Sequence, residues 1–117
     1  ESRKVDRDSA LIVRRTLRSG QSVHHPGSVV ILGDVNPGAE VIAGGDIIVL
    51  GALRGVAHAG ALGEETAVVV AFRLQPTQLR IAHFISRAPD DADLPEPQGP
   101  EIAQVRNNLI TIQSYST

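Results

Sequence analysis

At 117 residues the chain is long enough for one domain with a modest core, and it contains no cysteine, which excludes disulfides and thiolate chemistry. Its 11 Lys and Arg against 13 Asp and Glu give a formal net charge of −2, which argues against a general nucleic-acid-binding protein. No apolar run approaches the ~18–20 residues of a membrane span, and the start does not resemble a signal peptide. The sequence therefore predicts a soluble, cytoplasmic protein.

The first ten residues are polar and charged, and they open with Glu1-Ser2-Arg3-Lys4. A stretch of this kind is more typical of a linker than of the start of a domain. We expect residues 1–10 to be a linker from a missing N-terminal domain, and residues 11–117 to form the folded domain.

The most regular feature of the chain is a step of eighteen residues between glycines, ten of which lie between Gly20 and Gly63. The apolar run Val29–Leu32 recurs with the same step as Ile47–Leu50. A repeat of fixed period predicts a coil in which each turn stacks on the last. The glycines that keep the step are Gly20 with Gly38, Gly33 with Gly51, and Gly27 with Gly45 and Gly63.

Short apolar segments between these glycines predict strands, and the glycines predict the sharp corners between them. The predicted strands are Val29–Leu32, Ala39–Ala43, Ile47–Leu50 and Val56–Ala59. A helix is disfavoured because the glycines and prolines would interrupt it. Three strands and three corners make one eighteen-residue turn of a triangular prism. We expect an all-β solenoid of about three turns. Its predicted inner columns are Leu32–Leu50–Val68 and Val35–Leu53.

Both faces of the strands Val29–Leu32 and Ile47–Leu50 are apolar, although only one face of a strand can point into the core. The other face would leave an apolar patch that a soluble monomer rarely exposes. We expect it to form a homodimer interface, and the alternative is a cover from later strands. The sequence does not fix which face points outward, so Val30 and Ile48 are the alternatives. The residues we assign to the dimer interface are Val29, Ile31, Ile47 and Val49.

After Gly63 the repeat is lost and the strands become longer. Thr66–Leu74 and Gln78–Ser86 are predicted strands, and Ala88–Pro100 is predicted to be an acidic, proline-rich loop. Asn107–Gln113 alternates as a final strand that could close an end or edge of the coil. We therefore expect additional C-terminal strands beyond the regular turns.

Four motifs follow one another along the chain. They are Arg18-Ser19-Gly20-Gln21, then Pro37-Gly38-Ala39-Glu40-Val41-Ile42-Ala43, then Leu53-Arg54-Gly55, then Ala57-His58-Ala59-Gly60-Ala61. In this order they resemble the C-terminal domain of MinC, the bacterial septum-site inhibitor. The resemblance runs from about Leu11 to Ile85 and resumes at Pro100–Ser114. It implies a short right-handed triangular β-helix that dimerises through an apolar face. Two departures are a stretch from His25 to Asn36 that is one residue shorter than in some members, and Val56 where some members carry a basic residue.

The resemblance implies binding rather than catalysis. In this family the domain binds MinD, a membrane-associated ATPase in its ATP-bound form, which carries the inhibitor to the inner face of the membrane to block FtsZ ring assembly. The membrane is thus contacted only through MinD, and contacts with the tail of FtsZ are also implied. The resemblance assigns Arg18, Ser19, Gly20 and Gln21 to MinD binding, with Gly38 as a further member. Arginine is independently a common interface anchor.

Other candidate sites are weak. His24, His25, His58 and His83 lack the cysteines or carboxylate spacing of a zinc site. The glycines match no phosphate-binding loop, and no nucleophile elbow is present. Asp34, Glu40 and Asp46 lie near turns, where Asp and Glu most often cap the backbone or face solvent. The sequence predicts no enzyme, no metal and no cofactor.

Two other functions compete with the adaptor. One is a self-polymerising structural scaffold, as in bactofilin-like β-solenoids. The other is a hexapeptide-repeat acyltransferase, in which His58 would be the catalytic candidate. That enzyme class shows stricter repeats over many more turns than this chain has.

Overall fold

The computed structural model describes residues 9–87 and 97–115, and within them the chain forms strands and turns only. None of these segments is a helix of the length and hydrophobicity that a membrane crossing needs. The strands in chain order are β1 (Ala10–Val13), β2 (Ser22–His25), β3 (Ser28–Ile31), β4 (Glu40–Ala43), β5 (Ile47–Leu53), β6 (Val56–Ala59), β7 (Val69–Leu74), β8 (Gln78–Ile81), β9 (Phe84–Arg87), β10 (Glu101–Arg106) and β11 (Leu109–Ser114).

Two sheets and a narrow third side form a triangular coil. Sheet A has the order β1-β3-β5-β7-β10-β11, and sheet B has the order β2-β4-β6-β8-β9. Neighbouring turns pair in parallel with the eighteen-residue step, as in Ala10 opposite Ser28 and Ser22 opposite Glu40. The third side is a ladder of single bridges that joins Leu17, Val35 and Leu53. The predicted all-β solenoid is confirmed.

The coil continues one turn beyond the glycine repeat. Strand β7 pairs in parallel with β5, with Ile47 opposite Val69, and β8 pairs with β6. The step here is longer than eighteen residues because a loop follows β6. Within this loop the amide of Gly60 donates to the carbonyl of Gly45 at 3.0 Å. Gly60 therefore occupies the corner that the repeat predicted for Gly63.

The C-terminal strands differ from the prediction at their boundaries. The segment predicted as one strand, Gln78–Ser86, is the antiparallel hairpin of β8 and β9, which turns at Ala82 with a φ of 54°. Strand β10, which was not predicted, forms a hairpin with β11 through Asn107 and Asn108, whose φ angles are also positive. Asparagine tolerates this backbone conformation well, so these residues form the turn rather than the start of a strand. Of the predicted acidic loop, residues 88–96 lie outside the described part of the chain.

The core is a set of stacked apolar columns, one residue per turn. The Val35–Leu53 column is confirmed, because both side chains are fully buried between Leu17 and Leu74. In sheet A the inward residues form two columns, and sheet B adds a third. These columns are Val29–Ile47–Val69–Ala103, Val13–Ile31–Val49–Ala71 and Val23–Val41–Ala57–Leu79.

This arrangement reverses the predicted orientation of sheet A. Leu32 and Leu50 were predicted to point inward, yet they are 36% and 41% exposed. The four residues assigned to the dimer interface are instead fully buried inside a single chain, so that assignment is wrong. Side chains alternate along a strand, and placing one set in the prism puts the other on its surface. The four residues are Val29, Ile31, Ile47 and Val49.

Side-chain oxygens at two corners bind the backbone of the next turn. The amide of Asp34 donates to Thr16 Oγ1 at 3.1 Å, and Asp34 Oδ1 accepts from the amide of Ala52 at 2.8 Å. At the other corner Ser28 Oγ accepts from the amide of Asp46, and Asp46 Oδ1 accepts from the amide of Val68, both at 2.9 Å. The two aspartates therefore cap the backbone, which is one of the two roles predicted for acidic residues near turns, whereas Glu40 lies in β4 with its Oε1 3.7 Å from His24 Nε2.

We expect Asp34→Ala to lower the free energy of unfolding by about 1–3 kcal/mol, because the Ala52 amide would lose its acceptor in a residue that is 4% exposed. Asp34→Asn keeps an acceptor oxygen and is the matched control. Urea denaturation followed by circular dichroism measures the difference. Equal midpoints for the alanine and asparagine variants would show that the ladder adds little stability.

Candidate partner-binding surface

The residues predicted to bind a partner lie together on one edge of the prism, which we call the Arg18 edge and define as Arg18–Gln21 with Gly38. The turn is closed by the amide of Gln21, which donates to the Arg18 carbonyl at 2.9 Å. The amide of Arg18 in turn donates to Gln21 Oε1 at 2.8 Å. All five residues are exposed, so the edge is a hydrogen-bonded turn that faces solvent.

Two stacked glycines build this edge. Gly20 and Gly38 have φ angles of 87° and 88°, and the Gly20 amide donates to the Gly38 carbonyl at 2.9 Å. A Cβ at Gly20 would meet nothing within 4 Å, whereas a Cβ at Gly38 would collide with Ser19 Oγ and lie 2.9 Å from Ser19 Cβ. Gly38 therefore leaves the space that Ser19 occupies.

The surroundings of the edge are basic. Arg15 precedes it and Arg54 stands two turns above Arg18, and both side chains are exposed. Asp34, on the neighbouring turn, is engaged with the Ala52 amide. The arginines therefore give this part of the surface a positive charge that suits an acidic partner. Nothing in the sequence distinguished Arg15 from Arg14, because only the folded turn brings Arg15 to Gln21.

A second surface of interest is the outer face of sheet A. One row crosses β1, β3, β5, β7 and β10, and a second row of larger side chains lies beside it. A bulge in β5 places Leu50 and Gly51 opposite Phe72, which is 49% exposed. The face is thus a continuous apolar patch. Its residues are Ile12, Val30, Ile48, Val70 and Ile102 in the first row and Leu32, Leu50 and Phe72 in the second.

Three of the four histidines make local side-chain contacts. His58 Nε2 lies 2.9 Å from the carbonyl oxygen of Ala82, so the ring bridges β6 to the turn after β8. On the surface, His24 Nε2 lies 3.7 Å from Glu40 Oε1, and His83 Nδ1 lies 3.8 Å from Glu65 Oε2. Within residues 9–87 and 97–115, no three His, Asp or Glu side chains are grouped as metal ligands. The arrangement offers surfaces for binding.

Comparisons with known proteins agree on the family. A family model described as the C-terminal domain of the septum formation inhibitor MinC matches residues 11–115. Probable septum site-determining proteins MinC from Heliobacterium modesticaldum and Symbiobacterium thermophilum are 61% and 57% identical to this chain over 92% and 91% of its length. The chain spans 37% and 46% of those two relatives.

A solved structure agrees with this family assignment. A chain of the MinC:MinD cell division protein complex of Aquifex aeolicus superposes with a TM-score of 0.89 at 44% identity, and the match covers 93% of this chain and 88% of that one. The expected resemblance is confirmed on sequence and on fold. The stacked coil, its corner glycines and these matches together place the chain in the family of MinC C-terminal domains.

Proposed function

We propose that this chain is the partner-binding domain of a cell division inhibitor and acts as a non-enzymatic adaptor. The observation that carries the proposal is the clustering of the Arg18 edge, whose five residues face solvent together and are those that the resemblance assigns to MinD binding. The similar solved chain belongs to a complex of MinC with MinD. The proposed partner is therefore MinD in its ATP-bound, membrane-associated form.

Recruitment follows from that partner. The domain stays in the cytoplasm until MinD brings it to the inner face of the membrane, where the inhibitor blocks FtsZ ring assembly at the wrong sites. FtsZ is the proposed target, and contact with the membrane is indirect. The family of the chain and the basic character of the Arg18 edge support this proposal.

The outer face of sheet A is the proposed homodimer interface. Eight apolar side chains form it, and Ile12, Leu50 and Phe72 are each 41% or more exposed in the single chain. Pairing two such faces would remove their apolar surface from water, and each Å² of apolar surface buried stabilises the dimer by about 25 cal/mol. A dimer also presents two Arg18 edges, and this bivalency strengthens attachment to a membrane that carries many MinD molecules.

The test is co-sedimentation of the domain with cognate MinD, ATP and vesicles of acidic phospholipid. We expect the domain to pellet with ATP and to stay in the supernatant with ADP. Arg18→Ala should weaken binding about tenfold or more, as removal of an interface hot spot does, while the dimer mass and thermal unfolding stay unchanged. Equal binding by Arg18→Ala would remove Arg18 from the site, and no ATP-dependent binding by the wild type would refute the proposed partner.

The scaffold alternative makes a different prediction. End-to-end polymers would pellet without MinD or nucleotide. The structure disfavours them because parallel stacking ends at β7 and β8, where β10 and β9 pair antiparallel. Filaments of the purified domain in electron micrographs would favour the scaffold.

A further inference from the structure

Gln21 uses its side-chain oxygen inside the chain. The amide of Arg18 donates to Gln21 Oε1 at 2.8 Å, and Arg15 Nη1 donates to the same oxygen at 3.3 Å. One acceptor therefore holds both the backbone of the turn and the head group of a second arginine. Neither contact involves the guanidinium of Arg18, which is left to face solvent at the turn.

We propose that Arg15 is a second partner-contacting arginine of the Arg18 edge, and that Gln21 is the positioning residue that orients it. The occupant is the acidic surface of a protein partner, with carboxylates placed to meet two guanidinium groups. This inference rests on the proposed function, since the partner is the one that binds the Arg18 edge. It assigns Gln21 to the geometry of the site rather than to the contact itself.

Charge supports this occupant. Arg15 and Arg18 are both exposed, and both donate to Gln21 Oε1, Arg15 from its guanidinium and Arg18 from its backbone amide. Gln21 itself is uncharged. The carboxylate on the adjoining turn, Asp34, is directed to the Ala52 amide. A guanidinium binds a carboxylate through two parallel hydrogen bonds and gains from being held in place beforehand. A neutral acceptor such as Gln21 orients Arg15 without cancelling its charge.

Arg14 supplies a matched control for Arg15. The two arginines are adjacent and exposed, but Arg14 directly follows β1 and stands one turn before Leu32, on the side of sheet A. We expect Arg15→Ala to weaken ATP-dependent MinD binding about fivefold to tenfold and to reduce its dependence on salt, because a charged contact is lost. Arg14→Ala should stay within about twofold of the wild type. Equal effects of the two variants would overturn the role of Arg15.

The positioning role of Gln21 has its own readouts. Gln21→Met keeps the length of the side chain and removes the acceptor, so amide exchange at Arg18 should become faster. We expect Gln21→Met to weaken binding, and Gln21→Met with Arg15→Ala to bind no worse than about twofold below the weaker single variant. Multiplying effects in the double variant would instead show that Gln21 acts on binding independently of Arg15, through the Arg18 turn or through the partner, and would overturn its role in positioning Arg15.

The proposed function and the inference on Arg15 can be contradicted separately. If the wild type does not bind MinD with ATP, the proposed function is wrong. If the wild type binds, Arg18→Ala is impaired and Arg15→Ala is not, then only the inference on Arg15 is wrong. Measuring dimer mass for each variant excludes a loss of bivalency as the cause of weaker binding.

Discussion

Replacing Ile48 by aspartate is expected to convert the domain from a dimer to a folded monomer. Ile48 lies in the first row of the outer face of sheet A, between Val30 and Val70. In the proposed dimer a charge at this position would be desolvated against an apolar face without a partner, which costs several kcal/mol. We expect the dimer dissociation constant to rise at least about a hundredfold. Light scattering over a range of concentrations measures it.

The neighbouring residue provides the contrasting control. Val49 is fully buried inside the prism, so Val49→Asp would place a carboxylate in a core where no described side chain is both buried and polar. The cost approaches the whole stability of a small domain, which is about 5–15 kcal/mol. We expect this variant to be unfolded or insoluble by circular dichroism. Ile48→Asp should keep the wild-type spectrum.

Two outcomes would contradict this picture. A wild-type domain that is monomeric at high micromolar concentration would rule out the dimer. A dimeric Ile48→Asp variant with unchanged dissociation would move the interface away from sheet A. Each outcome is independent of MinD, so the experiment tests the dimer separately from the partner.

The glycine repeat predicted the architecture because most corners of the coil leave little room for a Cβ. Such a corner therefore requires glycine, and the spacing of the glycines shows directly in the sequence. The orientation of sheet A was predicted wrongly because both faces of its strands are apolar. A signal was nevertheless present in Ser28 and Asp46, which precede the apolar runs and share the parity of Val30 and Ile48. Their polar side chains belong at the surface, where they bind the next turn, and so they assign the same parity outward.

The fourth turn was hidden for a different reason. The loop after β6 lengthens the step between β5 and β7, so periodicity alone placed Val68 above Leu50. In the structure Phe72 lies next to Leu50, and the amide of Val68 donates a hydrogen bond to Asp46 Oδ1. An insertion in one turn shifts every later position, although the pairing of strands is unaffected.

The Arg18 edge was predicted from its motif, and the structure brings all five of its residues together. The sequence did not predict which of these residues positions which, because that depends on contacts between residues far apart along the chain. Gln21 contacts Arg15 six positions earlier, and Gly38 accommodates Ser19 from the preceding turn of the coil. Contacts of this kind require a fold before they can be seen.

Comparing Gly20 with Gly38 measures how much the space for Ser19 beside Gly38 matters. The two glycines share a φ near 87°, but only Gly38 has a side chain, that of Ser19, where its Cβ would be. An alanine at either position incurs backbone strain of about 1–2 kcal/mol. At Gly38 the added Cβ must also displace Ser19, whereas at Gly20 it meets open space. We therefore expect Gly38→Ala to lower the unfolding free energy by at least about 1 kcal/mol more than Gly20→Ala.

The same pair separates strain from the shape of the binding edge. Gly38→Ala should weaken ATP-dependent MinD binding about tenfold or more because Ser19 moves. Adding Ser19→Gly removes the group that collides, so the unfolding free energy should return to about that of Gly20→Ala, whereas binding should stay weak because Ser19 belongs to the Arg18 edge. Urea denaturation and vesicle co-sedimentation measure the two quantities on the same proteins. If the double variant regains stability but not binding, then the Ser19 hydroxyl itself contacts the partner. If it regains neither, displacement of Ser19 is not the reason that glycine is needed at this corner.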